Sequence, residues 1–269
     1  MKRVNKYRIV FFTTLLAIVA CSRVPLTGRK QLHLLPESAV ASMALTQYSD
    51  FLSSHKLSQD KKNSELVKKV GTRISHAVEK YLKQIKREDL IKNFNWEFNL
   101  VEDKTPNAWC MPGGKVVVYT GILPYTQDET GLAVVLGHEI AHAIARHGNE
   151  RLSQQLLYQL GGLSLEVAMK DKPQETKNAF LIAYAVTGQL GVLLPYSRLH
   201  ETEADKLGLI FMAMSEYDPH KAIDFWKRMS QMGGQKPPAF LSTHPSDQKR
   251  IKNIQKFLPQ ALKYYKPQN

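Results

Sequence analysis

Three residues within five positions, His138, Glu139 and His142, are the ones whose types and spacing can do chemistry. Residues i and i+4 of an α-helix share a face, so the two imidazoles can reach a single ion. A Zn²⁺ ion takes imidazole nitrogens at about 2.0–2.1 Å and keeps a position open for water at catalytic sites. Glu139 follows the first histidine directly and can sit beside the metal without binding it. From there it can accept a proton from water whose pKa the ion has lowered to around 7. The chemistry implied is metal-assisted hydrolysis of an amide bond.

The surrounding residues place this turn on a buried helix. Leu132, Ala133, Val134, Val135 and Leu136 precede it, and Ile140, Ala141, Ala143 and Ile144 surround its polar residues. Unpaired imidazole and carboxylate groups are costly on such a helix, and a metal resolves that cost. Thr126-Gln127-Asp128-Glu129 has the form of a capping box that starts the helix, and Gly148 reads as its stop. A third ligand is needed. Glu201 and Asp205 form an i, i+4 pair on another helical pattern, and one can bind the ion while the other orients a ligating histidine. Glu203 points away from that pair and reads as solvent-facing or structural.

Five segments then carry a family resemblance: 24–32 (VPLTGRKQL), 106–123, 138–151, 194–205 and 242–251 (STHPSDQKRI). In them the chain resembles the gluzincin zinc metallopeptidases that include the HtpX and CAAX prenyl proteases. The likeness is greatest to their soluble periplasmic lipoprotein branch, BepA-like, LoiP-like and Oma-like. The resemblance implies that His138, His142 and Glu201 hold one Zn²⁺, that Glu139 is the base, and that Asp205 orients a ligand. It implies structural roles for His147, Glu150 and Arg151. It also implies that the Asn107-to-Tyr119 region, with Ala108, Gly113 and Gly114, is an edge strand that receives extended substrate by strand addition. His244, before Pro245, belongs at a loop-to-helix junction, where it donates to an oxyanion, fills the fourth zinc position, or simply caps the C-terminal helix.

The N-terminus has a basic region (Lys2, Arg3, Lys6, Arg8), an apolar run from Ile9 to Ala20, and then Cys21. This reads as a lipoprotein signal over residues 1–20 with Cys21 lipidated, hence a membrane tether on the periplasmic face of the outer membrane of a Gram-negative envelope. Cys110 then remains as a small buried hydrophobe and no internal disulfide is possible. The formal charge of +13 is spread over several runs, including Lys249 to Lys256, that read as solvated helix faces. No nucleic-acid motif accompanies the charge, so a nucleic-acid partner is excluded as a reading.

These elements must position the site within an α+β, predominantly α-helical fold with a small sheet. Residues 21–35 form an extended leader, 36–260 a single metallopeptidase domain, and 261–269 a polar tail. Helices are expected over 37–55 and 64–85, and strands over 94–101 and 115–120, with 106–114 irregular between them. The apolar stretch 179–194 is short for a membrane span and reads as a buried or cleft-covering helix. Pro219 opens a helix that Gly233-Gly234 breaks, and a last helix runs from Ser246 to about Leu258. The expected activity is endoproteolysis of unfolded or misassembled envelope proteins. The competing expectation is a chaperone-like or substrate-binding lipoprotein with a closed, structural zinc site.

Overall fold

A computed structural model describes residues 21–188, 194–231, 239–245 and 247–267. The signal sequence expected over 1–20 and the Gly233-Gly234 break lie outside the described residues. The chain falls into two compact units, one of residues 1–39 with 146–196, the other of residues 40–145 with 197–269. Among the described residues no helix is long and apolar enough to cross a membrane.

In the first unit the leader is a folded hairpin, with β1 (Cys21–Arg23) antiparallel to β2 (Lys30–Leu32). Its turn uses left-handed backbone at Leu26 and Gly28. The leader is then fastened to the start of α5 (His147–Ala168). Arg29 donates two hydrogen bonds, 2.8 and 2.7 Å, to the buried Glu150 carboxylate. Ser153 Oγ accepts from Leu34 N–H at 2.9 Å, and Asn149 Nδ2 donates to Leu35 O at 2.9 Å. Further on, α5 pairs with α6 (Gln174–Gly188) through stacked Tyr158 and Tyr184 rings.

The second unit holds a three-stranded sheet in the order β3-β5-β4: β3 (Glu97–Val101), β4 (Ala108–Met111) and β5 (Lys115–Tyr119). The stretch expected to be irregular therefore contains an edge strand. Central β5 runs parallel to β3 and antiparallel to β4, with Phe98 and Cys110 both opposite Val116. Period-two alternation gives the sheet two apolar faces. One face packs Val101, Val117, Trp109 and Met111 against Tyr48, Phe51 and Leu52 of α1 (Glu37–Ser54). The other face meets α2 (Lys61–Gln84) and α4 (Glu129–Ile144). A Cβ on Gly71 of α2 would lie within 2.3 Å of the Phe98 ring, so only glycine allows that approach.

Helix α4 starts one step away from the expected capping box. Thr126 closes the four-residue α3 (Leu123–Thr126), and Asp128 is the true cap, accepting from Gly131 N–H at 2.7 Å. Nor does Gly148 stop it, because Arg146 takes the left-handed conformation (φ 57°) and α5 begins at once. Helix α7 (Leu194–Met214) crosses α4 at two glycines. A Cβ on Gly208 would stand 3.0 Å from the Gly137 carbonyl carbon, and one on Gly137 would stand 3.1 Å from Gly208 O. This contact is backbone on backbone, one residue before His138.

Three helices complete the unit: α8 (Lys221–Gln231), α9 (Ala239–Thr243) and α10 (Gln248–Ala261). Asp247 caps α10 by accepting from Arg250 N–H at 2.7 Å. Part of the expected polar tail is packed, since Ala261 is buried and Tyr264 meets Tyr81 edge-on.

Candidate metal centre

The close crossing of α4 and α7 brings Glu201 across the two histidines of α4. His138 Nε2 lies 3.2 Å from one Glu201 carboxylate oxygen and His142 Nε2 lies 3.2 Å from the other. The two Nε2 atoms are 3.1 Å apart. His244 follows α9 and holds its backbone N–H on Phe240 O at 2.8 Å, which turns its ring into the same cluster. Its Nδ1 is 3.0 Å from both Glu201 oxygens and 3.1 Å from His138 Nε2. Four buried groups, His138, His142, Glu201 and His244, thus converge, each with a ligand atom within 4.8 Å of the others.

Three imidazoles and a carboxylate in this arrangement fit a divalent ion. Facing nitrogen lone pairs repel unless a proton or a cation lies between them, and the donor set is one that zinc prefers. Burial, the strongest influence on His138, pulls its pKa down, but Glu201 and Asp205 outweigh it and hold the ring protonated up to about 9. Burial likewise opposes the charged form of Glu201, yet His142 and His138 drive its pKa far below the usual carboxylate range. The pocket therefore attracts positive charge.

Asp205 lies on the far side of His138 from the cluster, where it can orient that ring. Its Oδ1 lies 3.0 Å from His138 Nδ1, so it can accept the Nδ1 proton and leave Nε2 as the nitrogen that gives up its proton to a bound metal. Sequence reasoning missed the group that holds Asp205. Arg250 was counted within the solvated run Lys249 to Lys256, but it is buried. Its Nε and Nη2 donate to the two Asp205 oxygens at 2.9 and 2.7 Å, and Nη1 is 3.1 Å from Glu201 Oε2. The guanidinium carbon sits 3.4 Å over the Trp226 ring, a cation–π contact sheltered from water. Burial works against ionisation of Asp205, and Arg250 overrides it, lowering the pKa. The signal was available: Arg250 shares a helical stripe with Ile254 and Phe257, both buried.

Glu139 is buried beside the cluster, and its Oε1 accepts no hydrogen bond. His244 Nε2 lies 3.4 Å from that oxygen. Burial first, against the pull of His244 and His138, raises its pKa. A buried carboxylate oxygen with no partner suits a group that must receive a proton.

The remaining expected residues are partly gathered. Asn107 O accepts from Tyr119 N–H at 3.0 Å, so β4 turns the backbone of Ala108 and Cys110 outward along the open edge. Asn107 Oδ1 already caps the Ala108 N–H at 3.0 Å. Gly113 and Gly114 form the β4–β5 turn at φ 93° and 82°, off the edge itself, and β5 is central, so the edge strand is shorter than the 107–119 region. Cys110 lies on the face toward α4, half-buried as a residue, with a thiol whose pKa burial and then Glu139 push up. Cys21 belongs to β1 of the first unit. Glu203 is 2% exposed, which removes the solvent-facing reading and leaves the structural one.

Peptidase family M48 matches this chain over residues 69–258, a span that contains every residue of the cluster. The chain belongs to that family. It is 40% identical over 190 residues to the mitochondrial metalloendopeptidase OMA1 of Schizosaccharomyces pombe, covering 68% of this chain and 53% of that protein. It is 32% identical over 267 residues to human mitochondrial metalloendopeptidase OMA1, covering 95% of this chain and 48% of that protein. A putative beta-barrel assembly-enhancing protease of Vibrio cholerae is 31% identical over 163 residues, 57% of this chain and 33% of its own length. The chain thus spans about half the length of the OMA1 relatives it matches. M48 peptidases use zinc, and the four-residue cluster can hold one such ion.

Replacing Arg250 by Met would leave the buried Asp205 without its guanidinium partner and with only His138 Nδ1 to hold it. Zinc affinity is expected to fall about 10–100-fold, the usual cost of removing a group that orients a ligand. Competition with a chromogenic chelator measures it, and wild-type affinity in a folded Arg250→Met protein would refute the role.

Proposed function

We propose that this chain is a zinc-dependent endopeptidase that cleaves unfolded or misassembled polypeptide. The observation that carries the reading is Glu139 Oε1, buried and without a hydrogen bond among the described residues, beside convergent His138, His142 and Glu201. When bound, zinc supplies a Lewis acid for the scissile carbonyl and acidifies water. Glu139 takes the proton from the attacking water at its free oxygen and returns it to the leaving amine. Asp205, held by Arg250, keeps His138 in the tautomer that binds through Nε2. The outward backbone of β4 pairs with an extended substrate strand, which selects for chain without secondary structure of its own.

Compartment is a further part of the proposal. The basic start, the short apolar run and Cys21 support a lipid-anchored protein of the bacterial envelope, on its periplasmic side. The beta-barrel assembly-enhancing protease of Vibrio cholerae supports an envelope role, whereas the OMA1 relatives are mitochondrial by name. In bacterial cells, Cys21→Ser is expected to abolish incorporation of labelled palmitate and release the protein from membranes. Unchanged labelling would remove the anchor from the account.

One observation favours a second reading, a closed site in a binding protein: His244 Nδ1 stands among the ligand atoms, where it can complete the metal's shell. Cleavage of unfolded casein separates the two. Glu139→Gln should keep zinc and lose about 10²–10⁴-fold in turnover, the range for a lost general base. If wild-type, zinc-loaded protein cleaves nothing and His244→Ala does not release activity, the binding reading stands instead.

A further inference from the structure

The sheet has a second open edge, on the margin opposite β4. In the parallel β3–β5 pair, Glu97 N–H donates to Gly114 O at 3.0 Å, so Glu97, Asn99 and Val101 turn their backbone toward β5. Phe98, Leu100 and Glu102 face outward. Leu100 O accepts from Ser58 N–H and Glu102 N–H donates to Lys56 O, each at 2.8 Å, so residues 56–58 cover one half of this edge. At Asp60, the cap of α2, the chain leaves it. Among the described residues, the Phe98 N–H and C=O therefore have no backbone or side-chain partner.

A groove of about 500 Å³ runs along this uncovered half, between α2 and β3. Its acidic groups are already engaged. Glu79 accepts from Trp96 Nε1 at 3.1 Å, and Glu97 accepts from Lys115 Nζ at 3.1 Å and Asn99 Nδ2 at 3.0 Å. Its basic groups are not: Lys68 and His76 are exposed and have no ion-pair partner among the described residues. The unmatched charge of the groove is positive, and the half-buried Trp96 ring gives it an apolar wall. Unpaired strand edges are ordinarily blunted or covered, and this one is covered over only half its length.

We propose that this edge is a docking site, separate from the hydrolytic centre, for an extended acidic peptide. The peptide adds to β3 at Phe98, continuing the line of residues 56–58, and sets a carboxylate between Lys68 and His76 with an apolar neighbour against Trp96. Backbone pairing supplies affinity, and the Lys68 charge with the hydrogen-bonding His76 ring supplies selectivity.

The test uses full-length Glu139→Gln protein, so that the probe stays intact. A fluorescein-labelled heptapeptide of alternating Glu and Val is compared, by anisotropy, with the same peptide carrying Lys for Glu. The acidic probe should bind at least tenfold more tightly, and should crosslink to a photoreactive residue placed at Thr72. Lys68→Glu with His76→Glu should weaken it at least tenfold, while the same pair in an otherwise wild-type chain leaves casein cleavage unchanged. Thr72→Trp, which fills the groove, should block binding without lowering the melting temperature. Equal binding of the two peptides, undiminished binding by the charge-reversed variant, or crosslinks only to a second copy of the chain would overturn the proposal. Because binding is read without cleavage, its failure says nothing about the hydrolytic reading.

Discussion

The backbone contact of Gly137 with Gly208 is the constraint on which the rest of the site depends. A ligand set divided between two helices works only if the helices approach until carboxylate and imidazoles share one point. Packed helices ordinarily lie 8–10 Å apart, set by the side chains between them, and glycine on both sides permits the closest end of that range. With a Cβ at 208 standing 3.0 Å from the Gly137 carbonyl carbon, even alanine must push α4 and α7 apart. Glu201 is two helical turns from Gly208, so such a shift moves its carboxylate relative to His138 and His142.

Around that crossing the polar groups are layered. Glu201 spans the two Nε2 atoms, Asp205 holds the far nitrogen of His138, and Arg250 holds both carboxylates while resting on Trp226. Each buried charge faces an opposite one, which offsets the large cost of taking it out of water. Glu139 is the exception, with one oxygen that accepts no hydrogen bond among the described residues inside the same pocket. An unsatisfied group of this kind costs stability, and its retention is intelligible where a proton must be received.

Much of the site was legible before any coordinates. The i, i+4 spacing of His138 with His142 and of Glu201 with Asp205 is local information, because each pair shares one helix. The helical pattern over 64–85 located α2, which begins at Lys61, and the strand pattern over 94–101 located β3, which begins only at Glu97. What escaped was long-range. Arg250 resembles its exposed lysine neighbours in composition, and only its place in the stripe with Ile254 and Phe257 distinguishes it. The hairpin at 21–32 has strands of three residues, too short for a period to register, and Glu150, 121 positions away from Arg29, holds its turn. Helix ends shifted for local reasons: Asp128 outcompeted Thr126 as cap, and Arg146 adopted a left-handed turn more often given to glycine.

The helix crossing is tested most directly by Gly208→Ala, a change of one methyl group that touches no ligand. Zinc stoichiometry and thermal unfolding of the purified protein decide the matter. The account predicts weakened zinc binding together with a loss of about 1–3 kcal/mol in stability, the usual cost of overpacking. Full zinc occupancy at wild-type affinity and an unchanged melting temperature would contradict it.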